Sequence, residues 1–310
     1  MINYLNIIRP KNLLIVAVSQ VLIYMVYLHP LTSSNEELVL NGNLWMLFVI
    51  DTILIAAGGY VINDIMDIKV DQVNKPQDTF ISDLKISIRG GWIYYISLVL
   101  SGFMLALYIA IAIDKIHLLY IYPLAVLLLF LYSSHFKRLP LLGNLVVSIF
   151  CAFVPGIIWY AEYDSINNYA ESGNPHYELL MHLFPAYITF AFLSTMVREV
   201  VKDIEDLEGD AKFDFKTLPV VAGPERAKII AFFFCILLLC TYCFWFTGFS
   251  TSAEIITALV IVLGMMIPTA YILSKIHGAR STADYTQISK LMKYLMIVSL
   301  FIFLCIPFIQ

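Results

Sequence analysis

Charge is scarce in this chain. Asp, Glu, Lys and Arg together make up 14% of its 310 residues, while 60% are hydrophobic. Soluble domains carry roughly 25% charged residues, so a soluble enzyme is excluded and a polytopic membrane protein is expected. A basic surplus is also missing. The net charge is −4, which leaves no electrostatic footprint for nucleic acid. Cysteine is sparse, and Cys151, Cys235, Cys240, Cys243 and Cys305 all lie in apolar runs. Cys240 and Cys243 form a C-x-x-C, but no second pair or nearby histidine completes a zinc site, so all five read as packing residues. No small-residue cleavage site follows the first apolar stretch, Leu13 to Leu28, which therefore reads as a retained span.

What the chain has instead is a series of long apolar runs. Stretches of about 17–25 residues predict spans near 13–29, 44–62, 91–113, 116–134, 141–161, 179–198, 228–247, 255–275 and 291–309. Only Asp114 and Lys115 separate the third and fourth, so a tight turn must lie there. The basic residues divide unevenly between the two sets of loops. Of the 19 Lys and Arg residues, Lys115 alone falls on one side, and the rest, from Arg9 and Lys11 to Lys290 and Lys293, fall on the other. The positive-inside rule makes the richer side cytoplasmic. This predicts a cytoplasmic N-terminus, an outside C-terminus and one membrane-embedded domain over residues 1–310, in an inner or plasma membrane.

Two aspartate triplets stand out against this apolar background. Asp64, Asp67 and Asp71 lie in NDIMDIKVD, and Asp203, Asp206 and Asp210 lie in KDIEDLEGD. Both follow D-x-x-D-x-x-x-D, both sit where an apolar span ends, and both fall on the basic side. Spans two and three, and spans six and seven, thus each flank one acidic loop, which is a weak internal repeat. On a helix, positions i, i+3 and i+7 share a face, so each triplet is expected to present three carboxylates in one direction. Like charges that close repel unless a cation lies between them. Mg²⁺ is a hard, oxygen-seeking ion held by carboxylates together with substrate phosphates. Cations that could meet a diphosphate stand nearby: Lys75 after the first triplet, Lys137 and Arg138 at the end of span four, and Arg198 and Lys202 beside the second triplet. Each also satisfies the positive-inside rule without any ligand. Asp51 lies within the second span, about 20 Å from Asp64 along a helix and on another face; a structural partner on a neighbouring span is expected for it.

At NDIMDIKVDQVNKP and REVVKDIEDLEGD the chain resembles the UbiA-type intramembrane prenyltransferases, and the similarity extends to YSSHFKRLPLLGN and IRPKN. The run ending in TLPV is most similar to the branch that includes digeranylgeranylglyceryl phosphate synthase. The resemblance implies an all-α protein of nine transmembrane helices around a central cavity with a cytoplasmic polar cap. It implies Mg²⁺-dependent transfer of a prenyl group from an allylic diphosphate, geranylgeranyl in that branch, to a lipophilic acceptor, with membrane lipids around it. Carried over, Asn63, Asp64, Asp67 and Asp71 would serve one metal site and Asp203, Asp206 and Asp210 the second. Asp64, Asp67, Asp203 and Asp206 are then the catalytic carboxylates, with Lys75, Lys137, Arg198 and Lys202 on the diphosphate. The acceptor expected of the branch is a prenylated glycerol phosphate; aromatic, quinone-precursor and chlorin acceptors are the alternatives. One departure is Asp78, which stands where many relatives carry an arginine in a stretch like N-K-P-x-R. A transporter is the rival of another class, but transporter sites usually lie near the midplane, whereas these carboxylates sit at span ends.

Overall fold

The computed structural model describes residues 2–30, 38–74, 80–81, 85–171, 175–245 and 252–309. A short helix α1 (Ile2–Ile7) precedes α2 (Pro10–Ile23), which continues through a π-turn to Leu28. Then come α3 (Leu44–Met66), α4 (Ile68–Asn74), α5 (Ile88–Ala112) and α6 (Ile121–Ser134). The middle of the chain forms α7 (Leu142–Ala161), α8 (Tyr163–Asn168) and α9 (Pro175–Glu205), followed by α10 (Leu207–Lys212) and α11 (Leu218–Ala222). The last part forms α12 (Pro224–Trp245), α13 (Ser252–Ile261), α14 (Ile267–Gly278) and α15 (Thr282–Ile309), with a π-turn joining α13 to α14. Among the described residues nine helical segments are long and apolar enough to cross a bilayer, matching the nine expected spans. Large apolar side chains such as Leu100, Met104, Ile111, Ile229 and Leu263 remain exposed on their outer faces. In water such a surface would aggregate; against lipid acyl chains it is at home.

Span ends are where the sequence reading needs correction. The sixth span was expected to end at residue 198, but α9 runs on to Glu205, and α15 begins at Thr282 rather than near 291. Charged residues end an apolar run without ending a helix, because a helix leaving the bilayer keeps its own backbone hydrogen bonds. The turn between spans three and four is where it was expected. Asp114 adopts a left-handed conformation (φ 54°), and the Lys115 amide donates to the Ala110 carbonyl at 3.0 Å.

Two helix groups make up the body. The most extensive pairings are α3 with α5 and α9 with α12; α6 adds to the first pair, and α7 and α15 to the second. These are the helix pairs that flank the two triplets, so the weak repeat in the sequence is a packing repeat. Helix α9 is central, with 61% of its span buried, whereas the span containing α6 has 11% buried and faces outward. Helix α2 touches α3, α7 and α15 and links the groups. Its Gln20, fully buried, donates to the Thr52 hydroxyl (3.1 Å) and the Val154 carbonyl (2.8 Å). At the end of the molecule remote from the triplets, the buried Glu162 carboxylate accepts from the amides of Val39 (2.8 Å) and Leu40 (2.7 Å), tying the chain after α2 onto α7.

Candidate active site

Both triplets are built the same way, and not as one unbroken helix. Asp64 lies in the last turn of α3, Asp67 sits at the break, and Asp71 lies in α4. Asp203 lies in the last turns of α9, Asp206 sits at the break, and Asp210 lies in α10. The two middle aspartates have almost identical backbone angles, φ −99° and ψ 4° for Asp67 and φ −90° and ψ 6° for Asp206. Hydrogen bonds of the i to i−4 type nevertheless cross each break. Asp67 N reaches Asn63 O at 3.0 Å and Asp71 N reaches Asp67 O at 2.8 Å, while Asp206 N reaches Lys202 O at 2.9 Å and Asp210 N reaches Asp206 O at 3.0 Å. The expectation that each triplet lies on one helix is therefore corrected: each spans a helix break at its middle aspartate.

The triplets meet. Helices α4 and α10 are in contact, and the Asp67 charge acts on Asp210. Burial, then the negative charges of Asp206 and Asp67, push the Asp210 carboxyl up to about 6, against a hydrogen bond from the Thr217 hydroxyl at 3.0 Å. Tyr132 of α6 lies between the groups, within electrostatic reach of Asp67, Asp203 and Glu199.

Cations hold the first triplet. Lys137 Nζ lies 2.6 Å from Asp67 Oδ1 and donates to Asn63 Oδ1 at 3.1 Å, and Asn63 Nδ2 donates to Asp67 Oδ2 at 3.0 Å. The pair is largely buried, with Lys137 9% and Asp67 13% exposed, so removing one partner would leave an uncompensated charge worth about 3–5 kcal/mol. Arg9 donates to Asp64 Oδ1 at 2.8 Å and lies over the Tyr60 ring, 4.9 Å from its centroid. The sequence reading had counted Arg9 only as a positive-inside residue. Arg9 stands just outside α2, before Pro10 at its first position, in a left-handed conformation (φ 53°). The second triplet is steadied by Asn144 of α7, buried, whose Nδ2 donates to Asp203 Oδ2 at 2.8 Å. Asn144 was likewise missed, although an asparagine entering an apolar span is a signal in itself.

One elbow, residues 135–141 between α6 and α7 together with the first turn of α7, supplies both Lys137 and Asn144. Leu141 is left-handed (φ 61°). A Cβ on Gly143 would stand 2.7 Å from Lys137 Cα, so only glycine lets the two arms approach. The elbow also carries the segment that follows α10: Lys216 N donates to Arg138 O at 2.8 Å, and the Arg138 guanidinium lies over the Phe215 ring at 4.8 Å. Of the other expected residues, Lys202 acts on Asp203 and Asp210, and Arg198 pairs with its neighbour Glu199. Lys75 and Asp78 lie outside the described residues. Asp51 is buried in α3 near Tyr122, but its Oδ1 lacks a hydrogen-bond partner, and the Tyr122 hydroxyl donates to Val99 O instead (2.8 Å). Among the described residues the expected structural partner for Asp51 Oδ1 is not found.

The donor set suits a hard divalent cation, because every candidate ligand is an Asn or Asp oxygen. Among the described residues no three such acidic side chains yet converge on one point; Arg9 and Lys137 engage Asp64 and Asp67 instead. Beyond the carboxylates, an apolar groove of about 330 Å³ runs between α5 and α6, lined by residues including Tyr95, Val99, Tyr122, Val126 and Phe130.

Comparison with known proteins decides the family. Residues 10–303 match the model of the UbiA prenyltransferase family. The chain belongs to that family. As a UbiA prenyltransferase it is similar to the digeranylgeranylglyceryl phosphate synthase of Saccharolobus solfataricus, 30% identical over 298 residues, covering 93% of this chain and 92% of that one. The enzyme of the same name from Sulfolobus acidocaldarius is 31% identical over 301 residues, covering 97% and 96%. The fold is that of a solved digeranylgeranylglyceryl phosphate synthase structure (TM-score 0.66, 23% identity, 98% of this chain and 97% of that one). It is also that of a UbiA homologue from Archaeoglobus fulgidus bound to GPP and Mg²⁺ (TM-score 0.58, 18% identity, 97% and 99%). The protein is thus an integral membrane prenyltransferase.

Proposed function

We propose that this UbiA prenyltransferase moves a prenyl group, geranylgeranyl in the preferred case, from its diphosphate to the free hydroxyl of a prenylated glycerol phosphate. The observation that carries the reading is the approach of the two triplets across α4 and α10, with Lys137 reaching into the first. Asn63, Asp64, Asp67 and Asp71 would hold one Mg²⁺, and Asp203, Asp206 and Asp210 a second. Bound there, the metal would neutralise charge growing on the leaving diphosphate.

The chain's own residues do the rest. Lys137 and Lys202 offer cationic donors to the diphosphate as the allylic C–O bond ionises, and Arg198 and Lys75 complete the set. To do so Lys137 and Arg9 exchange a carboxylate partner for a phosphate one, which keeps each cation paired throughout. The apolar span walls exclude water, which would otherwise quench the allylic cation. The acceptor oxygen bonds to the allylic carbon and loses its proton, for which a carboxylate oxygen of either triplet that is not holding metal is the candidate base. The lysine and arginine distribution supports a cap that faces the cytoplasm.

The similarity to the two archaeal synthases favours the glycerol phosphate acceptor. The test is competition for labelled geranylgeranyl diphosphate in proteoliposomes. An alkylated glycerol phosphate should outcompete 4-hydroxybenzoate and a chlorin alcohol; preferential labelling of either of the others would overturn the acceptor assignment.

A further inference from the structure

A second group of cations gathers beside the carboxylates, and two of its members, Lys11 and Lys293, take no part in the diphosphate chemistry above. Lys293, half-buried on α15, donates to Asn12 Oδ1 at 3.2 Å. Asn12 in turn hydrogen-bonds Tyr60, and the charges of Arg9 and Arg198 act on that same phenol. Lys293 itself lies within reach of the positive charges of Arg198 and Lys11. Three helices, α2, α9 and α15, therefore bring like charges within reach of Lys293, which rests on a neutral asparagine. Arg9 and Arg198 have carboxylate partners in Asp64 and Glu199. Among the described residues neither Lys11 nor Lys293 makes an ion pair.

Positive-inside topology asks only that these residues be on the cytoplasmic side. It does not ask that three helices bring them within electrostatic reach of one another, where each raises the cost of the others. Such convergence is stabilised by an anion. Position sets which anion. Tyr60 precedes Asp64 by one helical turn, about 6 Å, so the cluster adjoins the first triplet rather than overlying it. In a glycerol phosphate only two or three carbons lie between the phosphoester oxygen and a free hydroxyl. With its hydroxyl at the carboxylate cap, such an acceptor has its phosphate within about one turn.

We propose that Lys11 and Lys293, with Arg198 as a shared wall, form a subsite for the phosphomonoester of the acceptor. This rests on the glycerol phosphate reading given above. Lys11 and Lys293 fix the acceptor by its phosphate, Lys137, Lys202 and Lys75 remain with the donor diphosphate, and Arg198 stands between the two. It also gives a charge reason for choosing a phosphorylated alcohol over a neutral one.

The experiment compares wild type with Lys293→Gln and Lys11→Gln in vesicles of zwitterionic lipid, with and without added anionic phospholipid. Each variant should raise KM for the phosphorylated acceptor about tenfold or more, the loss expected of one charge-assisted contact. KM for the donor and activity toward the dephosphorylated acceptor should stay unchanged. An unchanged KM for the phosphorylated acceptor, or a rise in donor KM instead, would overturn the subsite. A KM effect that appears only when anionic phospholipid is present would assign the cluster to a lipid headgroup and overturn it equally. Calorimetric binding of glycerol 1-phosphate separates this idea from the reaction assigned above. Lys293-dependent binding in a protein that does not prenylate the glycerol phosphate keeps the subsite and removes the reaction. Prenylation that is indifferent to Lys293 keeps the reaction and removes the subsite.

Discussion

Asn144 and Lys137 show how single side chains hold the site before any substrate arrives. Asn144 donates to Asp203, and Lys137 pairs with Asp67. Replacing Asn144 with Ala removes one hydrogen bond to a buried carboxylate and should lower kcat/KM about tenfold, as the loss of about 1.5 kcal/mol implies. Asn144→Asp should be worse than Asn144→Ala, because it sets a second negative charge against Asp203. Steady-state kinetics of the two variants check the order; equal or reversed losses would remove Asn144 from the site. Neither Asn144 nor Arg9 was legible as a site residue in the sequence. Each contacts a partner more than fifty positions away, and spacing reports only neighbours within a few turns. The aspartates were legible because their spacing repeats, and Lys137 because it closes a span on the correct side.

At the scale of elements, the elbow between α6 and α7 joins the two halves of the site. Gly143→Ala would press a methyl group against the Lys137 backbone, forcing the arms apart at a cost of about 1–3 kcal/mol. Gly58→Ala is the control, since its Cβ would meet Val99 at an ordinary 3.6 Å. Melting in detergent should show a lower Tm for the first and little change for the second, with activity falling in the first alone. The helix breaks at Asp67 and Asp206 belong to the same scale. The hydrophobic pattern showed that helices reach these aspartates but not that they break there. The i to i−4 hydrogen bonds continue across each break, so the residue spacing is that of a straight helix, and the break leaves no mark on it. The span ends at Glu205 and Thr282 were misplaced for a related reason: composition marks the edge of the apolar layer and not the end of the hydrogen-bonded helix.

Across the whole molecule, nine spans and a single-sided distribution of lysine and arginine predict an orientation. In a cysteine-free background, a cysteine at Tyr163 should react with an impermeant thiol reagent in intact cells. One at Glu208 should react only after the membrane is opened. The opposite pattern would invert the protein. The fold class was legible as a whole because bilayer thickness fixes span length and because the two helix groups repeat around matched triplets. The convergence of α4 on α10 could not be read from span lengths, since it depends on how the two groups are packed by α2 and α7. That convergence is the central claim, and release of labelled diphosphate from geranylgeranyl diphosphate, with and without Mg²⁺, tests it most directly. Release by the wild type should depend on Mg²⁺ and should fall about 10²-fold or more in both Asp67→Asn and Asp206→Asn. Full activity in either variant, or release indifferent to Mg²⁺, would contradict a single site built from both triplets.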